Sequence, residues 1–497
     1  MKAKYKYITS SQAPSDVALR RHDRIMKELI RICGEDFVFD DRDTLLPYAY
    51  DTGNLSTPDD PEGFPEFVVM PRSVDQIRRI VRVANREKEP VVPFISGANM
   101  GGLAVPSKGG ILVDQRLMKG LLIDEKNLYA VVEPGVTFGI LERELRKRGL
   151  HFPCPLASPS SASVVGNVLL AGQGHLETRY GCQGGLFNSI EAVLPTGEVI
   201  RAGSCAISGH WFSRFPLADL TGLFLGWHGT TGIVTKMAIP LYKRPKFKDV
   251  LTIGFDDFGD AAKFVAEWSR LELAHSVEGV TWALAQAPSK RWPLPLRPTG
   301  DPAFYLFSLI FGHSQEELDY KKRMHDRLMS DLSAKGEISS ARYVEMPEEA
   351  KEARTNVPNP WVFRYADHRG GGAVAWVGSF VPPSAWERGL SESSKLMEEY
   401  GFAPAVSLRS MDFGHYAALR AIIPYNRADE GERKKVRELM EGLAELALDL
   451  GGLIYKAHPW LAKAMLRRAH PGYLRLLRKV KRLLDPNRIM NPGKYGL

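Results

Sequence analysis

Glycine-rich turns recur in a fixed order between residues 91 and 234, and most of them follow a short apolar run. The first turn spans residues 96–102, directly after the largely apolar run 91–95, which predicts a buried strand. Glycine lets neighbouring backbone N–H groups converge on an anion and leaves space for a phosphate. The turn has neither the Gly-Lys-Ser/Thr ending of a P-loop nor the glycine spacing of a Rossmann dinucleotide motif. Since a lone glycine cluster more often marks an ordinary turn, the neighbouring segments decide its interpretation.

Further glycine and serine segments follow in the same part of the chain, at residues 133–137, 158–167, 179–181 and 226–234. In this order they resemble the flavoprotein family of vanillyl alcohol oxidase and p-cresol methylhydroxylase. The resemblance covers about residues 66–245 and returns near the C-terminus in Leu-Asp-Pro-Asn at 484–487 and Asn-Pro-Gly-Lys at 491–494.

This resemblance implies an FAD-dependent oxidoreductase that takes a hydride from a substrate carbon to flavin N5. The turn at residues 96–102 would wrap the FAD pyrophosphate, and the later segments would line the rest of the cofactor. The candidate FAD-contacting residues are Pro93, Ser96, Gly97, Ala98, Asn99, Met100, Gly101, Gly102, Pro134, Ser158, Ser163, Gly166, Asn167, Gly229, Gly232, Ile233, Val234 and Lys494.

Non-covalent FAD is the expectation. Family members that bond the flavin 8-methyl group use a histidine or tyrosine at the start of a cap strand, and the matching residues 370–374 are Gly-Gly-Gly-Ala-Val. The wider family also has a covalent histidine inside the first glycine turn, and residues 96–102 contain none.

Length and composition exclude several classes of protein. With 497 residues the chain should divide into two or three domains. No apolar run is long enough to span a bilayer, and the polar N-terminus does not resemble a signal peptide, so we expect a cytoplasmic location. The four cysteines form no CxxC pair, which argues against a disulfide framework or an iron–sulfur cluster, and no metal site is predicted. A net charge of +8 is modest for this length and does not indicate nucleic-acid binding.

Hydrophobic periodicity predicts an α+β chain, with mixed sheets in a two-part FAD-binding domain and a separate α+β cap domain. The predicted limits are 1–245 for the FAD-binding domain, 246–450 for the cap and 451–497 for the C-terminal return. Ser73 and Gln76 predict a capping box for a helix with Val74, Ile77 and Ile80 on one face. Strands are expected at 91–95, 111–114, 128–133 and 251–255, helices at 137–149, 261–268 and 436–447, and a strand-helix unit at 373–397.

The segment 452–458 carries the candidate catalytic residues. It resembles a family segment in which tyrosine, arginine, any residue and histidine follow a glycine, and Tyr455, Lys456 and His458 match with lysine for arginine. The family's tyrosine and arginine hold a phenolate, because a cation and an O–H donor stabilise that anion. Lysine offers a single flexible charge where arginine offers a planar fork, so carboxylate recognition is also open. An ordinary solvent-facing lysine is the alternative.

The family's active-site aspartate is missing. It stands three residues after the asparagine matching Asn167, and here that position is Leu170, followed by Ala171. Any base would come from Tyr455, His458, His175 or His415. His415 resembles a region where family histidines face the active site, although a lone histidine beside a strand is more often structural.

Three functional hypotheses follow. A para-substituted phenol is the leading small-molecule substrate. A 2-hydroxyacid is second, because the D-lactate and glycolate dehydrogenases share the glycine turns, although their His-x-Gly-Asp-Gly-Asn segment is not found here. The third is an FAD-carrying subunit that relays electrons within a larger complex, which a flavin edge closed by Leu170 would favour. The sequence does not separate an oxidase from a dehydrogenase.

A basic stretch between Lys463 and Arg488 has leucines at roughly helical spacing. It could dock an acidic electron-acceptor protein or an anionic membrane surface, or it could be a solvated helix face, which is the commoner case. A homo-oligomer is also open.

Overall fold

The structure is a computed structural model that describes residues 16–51, 53, 55–56, 63–154, 160–174, 176–286, 297–355 and 373–497. Ser158, His175 and the glycines at 370–372 lie outside the described residues. The helices in these ranges are α1 (Asp16–Cys33), α2 (Arg42–Leu45), α3 (Val74–Glu87), α4 (Phe138–Arg146), α5 (Val164–Leu169), α6 (Glu177–Tyr180), α7 (Phe258–Arg270), α8 (Trp282–Gln286), α9 (Gln315–Ala334), α10 (Glu348–Thr355), α11 (Trp386–Glu399), α12 (Glu430–Asp449), α13 (Pro459–Arg467) and α14 (Pro471–Leu484).

In the described ranges the strands form four sheets. Their bounds are β1 (Val38–Phe39), β2 (Phe67–Val69), β3 (Val91–Phe94), β4 (Ile111–Asp114), β5 (Leu121–Asp124), β6 (Tyr129–Val132), β7 (Leu150–His151), β8 (Ser189–Val193), β9 (Val199–Ala202), β10 (Ile233–Pro240), β11 (Tyr242–Lys243), β12 (Phe247–Phe255), β13 (Ser276–Thr281), β14 (Phe304–Gly312), β15 (Arg342–Tyr343), β16 (Ala373–Val381), β17 (Val406–Met411), β18 (Tyr416–Tyr425) and β19 (Leu453–Ile454). The α+β class with mixed sheets is confirmed.

The first sheet has the strand order β1-β2-β4-β3, with β2, β4 and β3 parallel and β1 antiparallel. Helices α1 and α3 pack on it through buried aliphatic side chains. The C-terminal segment joins the same sheet, because the Val91 N–H donates to the Ile489 carbonyl and the Asn491 N–H donates to the Val91 carbonyl, both at 2.8 Å. The sheet is therefore built from both ends of the chain.

Helix α3 follows the sequence prediction closely. The Ser73 side chain accepts the Gln76 N–H and caps the helix, and Ile77, Ile80, Val81 and Ala84 are buried. The Gln76 side chain accepts the N–H of Arg72 at 2.7 Å, one residue before the expected partner. The helix prediction is confirmed.

A five-stranded antiparallel sheet of order β5-β6-β10-β8-β9 forms the second layer of the FAD-binding part. Helices α4 and α5 cover it with Phe138, Leu141, Val165 and Val168. The sequence predicts β6 but misses β5, whose residues alternate only weakly between buried and exposed. A short pair of strands, β7 and β11, lies beside this layer.

The largest sheet has eight antiparallel strands in the order β15-β12-β14-β13-β17-β18-β16-β19. Helices α7, α11 and α12 bury Trp268, Trp386 and Leu443 in its core. Its last strand, β19, lies directly before Tyr455 and pairs with β16 at Ser379 and Phe380. The strands of the cap sheet thus lead directly to the segment that carries the candidate catalytic residues. The domain limits remain a prediction.

The basic C-terminal stretch forms two helices, because Pro471 begins α14 and the His470 side chain caps it. Within the described ranges, no helix combines the length and apolar character needed to cross a membrane.

Candidate active site

A cleft of about 140 Å³ opens where β3, α5, the loop before β10 and the segment after β19 meet. The residues that line it are Pro93, Ile95, Ser96, Gly97, Ala98, Asn99, Leu103, Ala104, Gln115, Ala162, Ser163, Gly166, Asn167, Leu169, Leu170, His228, Gly229, Gly232, Val234 and Lys456. Eleven predicted cofactor residues line this cleft: Pro93, Ser96, Gly97, Ala98, Asn99, Ser163, Gly166, Asn167, Gly229, Gly232 and Val234.

The polar atoms in this cleft fit FAD. Both amide atoms of the Asn99 side chain and Gln115 Oε1 are buried, and within the described ranges they have no hydrogen-bond partner. A buried amide costs free energy unless it is paired, and the hydroxyl and phosphate groups of FAD offer such partners. Backbone N–H groups of the turn at residues 96–102 could hold its pyrophosphate.

The side chains of Ser163 and Asn167 form hydrogen bonds to other groups of the protein. The Ser163 hydroxyl donates to the Pro134 carbonyl at 2.6 Å and accepts the Gly166 N–H at 3.1 Å, which caps α5. The Asn167 amide donates to Gln183 Oε1 at 2.9 Å. These two residues therefore contribute to the cleft wall mainly through its shape and through their backbone atoms.

Five predicted cofactor residues are not among those that line the cleft: Met100, Gly101, Gly102, Pro134 and Ile233. The Met100 carbonyl accepts the indole N–H of Trp376 in β16 at 3.2 Å, which ties the glycine turn to the cap sheet.

Lys494 also lies outside the lining. Its buried ammonium donates to the carbonyls of Gly102 and Val105, each at 2.8 Å, and to the Ser107 hydroxyl at 3.1 Å. Lys494 thus stabilises the end of the glycine turn through these hydrogen bonds.

Tyr455 is buried in an aromatic environment and is not among the residues that line the cleft. Its ring stacks on Phe380 with centroids 4.7 Å apart and lies 5.3 Å from the ring of Trp376. The ring crosses β16 at Gly378, where a β-carbon would come within 2.5 Å of it. Burial raises the pKa of Tyr455 to about 12, while the guanidinium of Arg420, which hydrogen-bonds to it, acts in the opposite direction. Tyr455 is therefore an un-ionised O–H donor near neutral pH.

Lys456 follows in a left-handed backbone conformation, with φ of 49°, and lines the cleft. A residue other than glycine in this region is strained, and such strain is common at functional sites. Burial lowers the pKa of Lys456 to about 8; Arg420 lowers it further and Glu177 opposes the shift. Lys456 keeps its positive charge near neutral pH but loses it in mildly alkaline solution.

An ion cluster that the sequence does not predict lies beside Tyr455. Arg409 in β17 contacts Glu278 in β13, and its Nη1 lies 3.5 Å from Glu177 Oε2. Arg420 in β18 has its Nη2 atom 3.7 Å from Glu278 Oε1. The sequence signal that could have indicated this cluster is the presence of charged residues in mostly apolar strands. Three strands and α6 thereby place two arginines and two carboxylates next to the candidate catalytic segment.

The two carboxylates differ in protonation. Burial raises the pKa of Glu177 to about 7, against the opposing effect of Arg409 and Arg420. Glu278 is also buried, yet Arg409, Arg354 and Arg420 together lower its pKa to about 2. Glu278 is therefore a permanent anion, whereas Glu177 can exchange a proton near neutral pH.

The two candidate histidines lie away from the cleft lining. His458 is buried at the start of α13, and its Nε2 atom lies 3.2 Å from the Gly53 carbonyl, so it positions the segment after Lys456. His415 is exposed directly before β18. Leu170, at the position of the family aspartate, does line the cleft.

Comparison with known proteins assigns the family. A model described as an FAD binding domain matches residues 65–203, and a model of the C-terminal domain of FAD-linked oxidases matches residues 244–495, more than half of the chain. The chain belongs to the FAD-linked oxidases. It is therefore an FAD-dependent oxidoreductase, and the resemblance drawn from the glycine turns is confirmed.

Relatives of this FAD-linked oxidase differ in the reactions that their names describe. The glycolate oxidase subunit GlcD of Bacillus subtilis is 26% identical over 95% of this chain and 96% of its own length. The 4-cresol dehydrogenase flavoprotein subunit of Pseudomonas putida is 24% identical over 97% of each chain. A crystal structure of p-cresol methylhydroxylase superposes with a TM-score of 0.86 over 97% of this chain and 98% of its own, at 22% identity. The last likeness shows a shared fold.

Proposed function

We propose that this FAD-linked oxidase oxidises an organic substrate bound as an anion, and that a para-substituted phenol is that substrate. The observation that carries the proposal is Lys456, a cation that lines the FAD cleft directly after the hydroxyl-bearing Tyr455. Among the described residues Lys456 forms no ion pair, so an anionic substrate would supply its partner.

In the proposed reaction, Lys456 and Tyr455 stabilise the phenolate oxygen by charge and by an O–H donor. The phenol first releases its O–H proton. Loss of a hydride from the carbon attached para to the oxygen then converts the phenolate into a neutral quinone methide, so charge and electrons balance. Bound FAD would accept that hydride. The aromatic rings of Phe380, Trp376 and Tyr455 provide apolar surroundings that strengthen the electrostatic contacts.

Glu177 is the proposed proton acceptor near this site, in place of the missing aspartate at Leu170. Its pKa of about 7 matches the requirement for a general base near neutral pH. It acts on Lys456 and Tyr455 electrostatically. The predicted bases His458 and His415 are less well placed, because one bonds to a backbone carbonyl and the other is exposed.

A 2-hydroxyacid is the second candidate substrate. Lys456 and Arg420 could hold a carboxylate, and the similarity to a glycolate oxidase subunit supports this alternative. The third candidate, an electron-relay subunit, is supported by Leu169 and Leu170, which make part of the cleft apolar.

Anaerobic reduction of the bound flavin distinguishes the three. The purified protein, loaded with FAD, is mixed with para-alkylphenols and separately with D-lactate and glycolate, and the loss of flavin absorbance is followed. Reduction by phenols that Lys456→Met slows supports the proposal. Reduction by hydroxyacids alone would transfer the assignment to the second candidate, and no reduction by either group would favour the relay.

The electrons leave for an acceptor that we propose to be an acidic protein docking on α14. This helix contains no acidic residue, and Arg475, Arg478, Lys479 and Arg482 are exposed on it beside Leu476 and Leu483. Weaker flavin reoxidation by an acceptor after charge reversal on α14 would test this. A homo-oligomer stays a prediction. So does a cytoplasmic location, with which the four free cysteines are compatible.

A further inference from the structure

Of the three guanidiniums that surround the Glu278 carboxylate in the described ranges, that of Arg420 lies farthest away. Arg409 makes the closest contact. Arg354 Nη1 lies 3.4 Å from Oε2 of the carboxylate, and Arg420 Nη2 lies 3.7 Å from Oε1, which is too long for a hydrogen bond. The buried Nε atom of Arg420 also has no hydrogen-bond partner within those ranges. Arg420 therefore has N–H donors that Glu278 does not use.

The strand register brings Arg420 to Tyr455. Arg420 in β18 lies directly opposite Gly378 in β16, and opposed residues of an antiparallel pair point to the same face of the sheet. The Tyr455 N–H donates to the Gly378 carbonyl at 3.1 Å, and the Tyr455 ring occupies the space where a side chain at 378 would lie. Because glycine leaves that space open, the phenol ring lies beside the guanidinium, which hydrogen-bonds to it.

The direction of this hydrogen bond decides what the Tyr455 hydroxyl can do. A guanidinium offers only donors, so the Tyr455 oxygen is the acceptor. The phenolic proton is therefore not used in the contact with Arg420. Burial raises the pKa of Tyr455 to about 12, so this proton is retained near neutral pH. It can be donated to an anion bound beside Lys456, the next residue in the chain.

We propose that Arg420 is a positioning residue for substrate binding: it holds the Tyr455 hydroxyl so that the O–H group donates to the oxygen of an anionic substrate beside Lys456. This inference rests on the proposed oxidation of a substrate bound as an anion. Arg420 lies in β18, outside the segment 452–458 that carries the candidate catalytic residues. It gives the site a planar, permanently charged guanidinium, although the matching position in that segment holds a lysine.

Arg420 also acts on Lys456 by its charge. Burial, and then the charge of Arg420, lower the pKa of Lys456. The other ionisable groups that interact with Lys456 or Tyr455 are Glu177 in α6, Arg409 in β17 and His228 in the loop before β10. Removing the Arg420 charge should therefore raise the pKa of Lys456, because a nearby cation no longer disfavours the ammonium.

The test is binding of 4-nitrophenol to the full-length, FAD-loaded protein, followed by difference absorbance because the nitrophenolate anion is yellow. This phenol has no alkyl carbon para to its oxygen, so it cannot lose a hydride there and reports binding alone. The variants are Arg420→Met, Arg420→Lys, Tyr455→Phe and the double variant of Arg420→Met with Tyr455→Phe.

Arg342→Met is the matched control. Arg342 is also an arginine of the cap sheet, and its Nη1 atom lies 2.7 Å from Asp256 Oδ2. Its strand, β15, is five strand spacings from β18, roughly 24 Å at the usual separation of paired strands. FAD content and a thermal midpoint near those of the wild type show that each variant is folded. If Arg420→Met loses FAD, Arg420→Lys takes its place in the comparison.

We expect the wild type to bind the nitrophenolate anion and to lower the pKa of the bound phenol by about one pH unit or more. Arg420→Met should weaken anion binding about tenfold, and Arg420→Lys should weaken it less, because lysine keeps the charge but lacks the planar fork. Arg342→Met should bind as the wild type does. In the Tyr455→Phe background, Arg420→Met should have little further effect, because the hydroxyl through which Arg420 acts is absent.

Three binding results would contradict the proposal. An effect of Arg420→Met that is equally large in the Tyr455→Phe background would show that Arg420 does not act through the tyrosine. Binding that is unchanged by substitution of Arg420 would overturn this proposal and leave the proposed phenol oxidation standing. Absence of nitrophenol binding by the wild type would overturn both.

The pH dependence of anaerobic flavin reduction gives a second readout. In Arg420→Met the alkaline limb of the rate should move to higher pH, because the pKa of Lys456 rises. A merely structural role of Arg420 would lower the rate at every pH and leave the limb in place. A limb that stays in place would therefore contradict the action of Arg420 on Lys456.

Discussion

A β-carbon at Gly101 would lie 2.8 Å from the backbone carbonyl oxygen of Lys456. The glycine turn and the segment with the candidate catalytic cation are therefore in direct backbone contact. Because this contact joins the backbone of Gly101 to the backbone of Lys456, neither segment can move aside without shifting the walls of the cleft.

The first prediction concerns Gly101→Ala. The added methyl group should push the turn and Lys456 apart at a cost of about 1–3 kcal/mol, which is typical of overpacking, and FAD affinity should fall about tenfold or more. The flavin-to-protein ratio after purification measures this. Gly209→Ala is the control, because a β-carbon there has nothing within 4 Å. Equal flavin content in the two variants would show that this contact does not hold the turn.

The second prediction concerns pH and Lys456. With a pKa near 8, the Lys456 ammonium loses its proton as pH rises through 8, and substrate-anion stabilisation is lost with it. The rate of anaerobic flavin reduction should therefore have an alkaline limb. Lys456→Arg should remove this limb, because arginine stays protonated, and Lys456→Met should lower the rate about a hundredfold. An unchanged limb in Lys456→Arg would assign it to another group.

The third prediction concerns the buried ion pair of Arg409 and Glu278. Arg409→Met alone should lower the free energy of unfolding by about 3–5 kcal/mol, because Glu278 is left as a buried anion with less compensation. The double variant Arg409→Met with Glu278→Met should be less destabilised than the sum of the two single variants. Urea unfolding of all four proteins measures the coupling. Additive effects would mean that the two charges do not compensate each other.

The fourth prediction concerns Glu177, whose folded-state pKa of about 7 exceeds the ordinary 4.5. Its contribution to stability is fully present below the unfolded-state pKa and is lost as pH rises through 7. Relative to Glu177→Gln, the wild-type protein should lose up to about 3 kcal/mol of unfolding free energy between about pH 4.5 and pH 8. Urea midpoints of both proteins across this range give the difference. Parallel pH profiles would place the titration elsewhere.

Much of the local structure could be predicted from sequence. Helix α3 has a serine cap and a clear apolar face, and β4 is a continuous buried run, so local preferences agree with the final fold. The resemblance of the glycine turns to flavoproteins also pointed to residues that the structure brings together in one cleft. The sequence analysis took the basic stretch between Lys463 and Arg488 as one helical pattern, whereas the structure divides it into α13 and α14 at Pro471, because proline begins a helix more easily than it continues one.

The ion cluster could not be predicted in the same way. Glu278 and Arg409 are separated by 131 residues and become direct neighbours only through the pairing of β13 with β17. Glu177 comes from a short helix of the FAD-binding part. Neither Glu278 nor Arg409 lies in a local sequence motif, so only the strand register brings these two residues together beside Tyr455.

The insertion of residues 489–491 beside Val91 has a consequence for how the protein folds. The backbone groups of Val91 have partners from almost four hundred residues later in the chain, so this edge of β3 stays open until residues 489–491 have been made. A fragment that ends at residue 245 would therefore lack the partners of the Val91 backbone. While the cap is being synthesised, the unpaired backbone groups at this sheet edge must be kept from pairing with another chain.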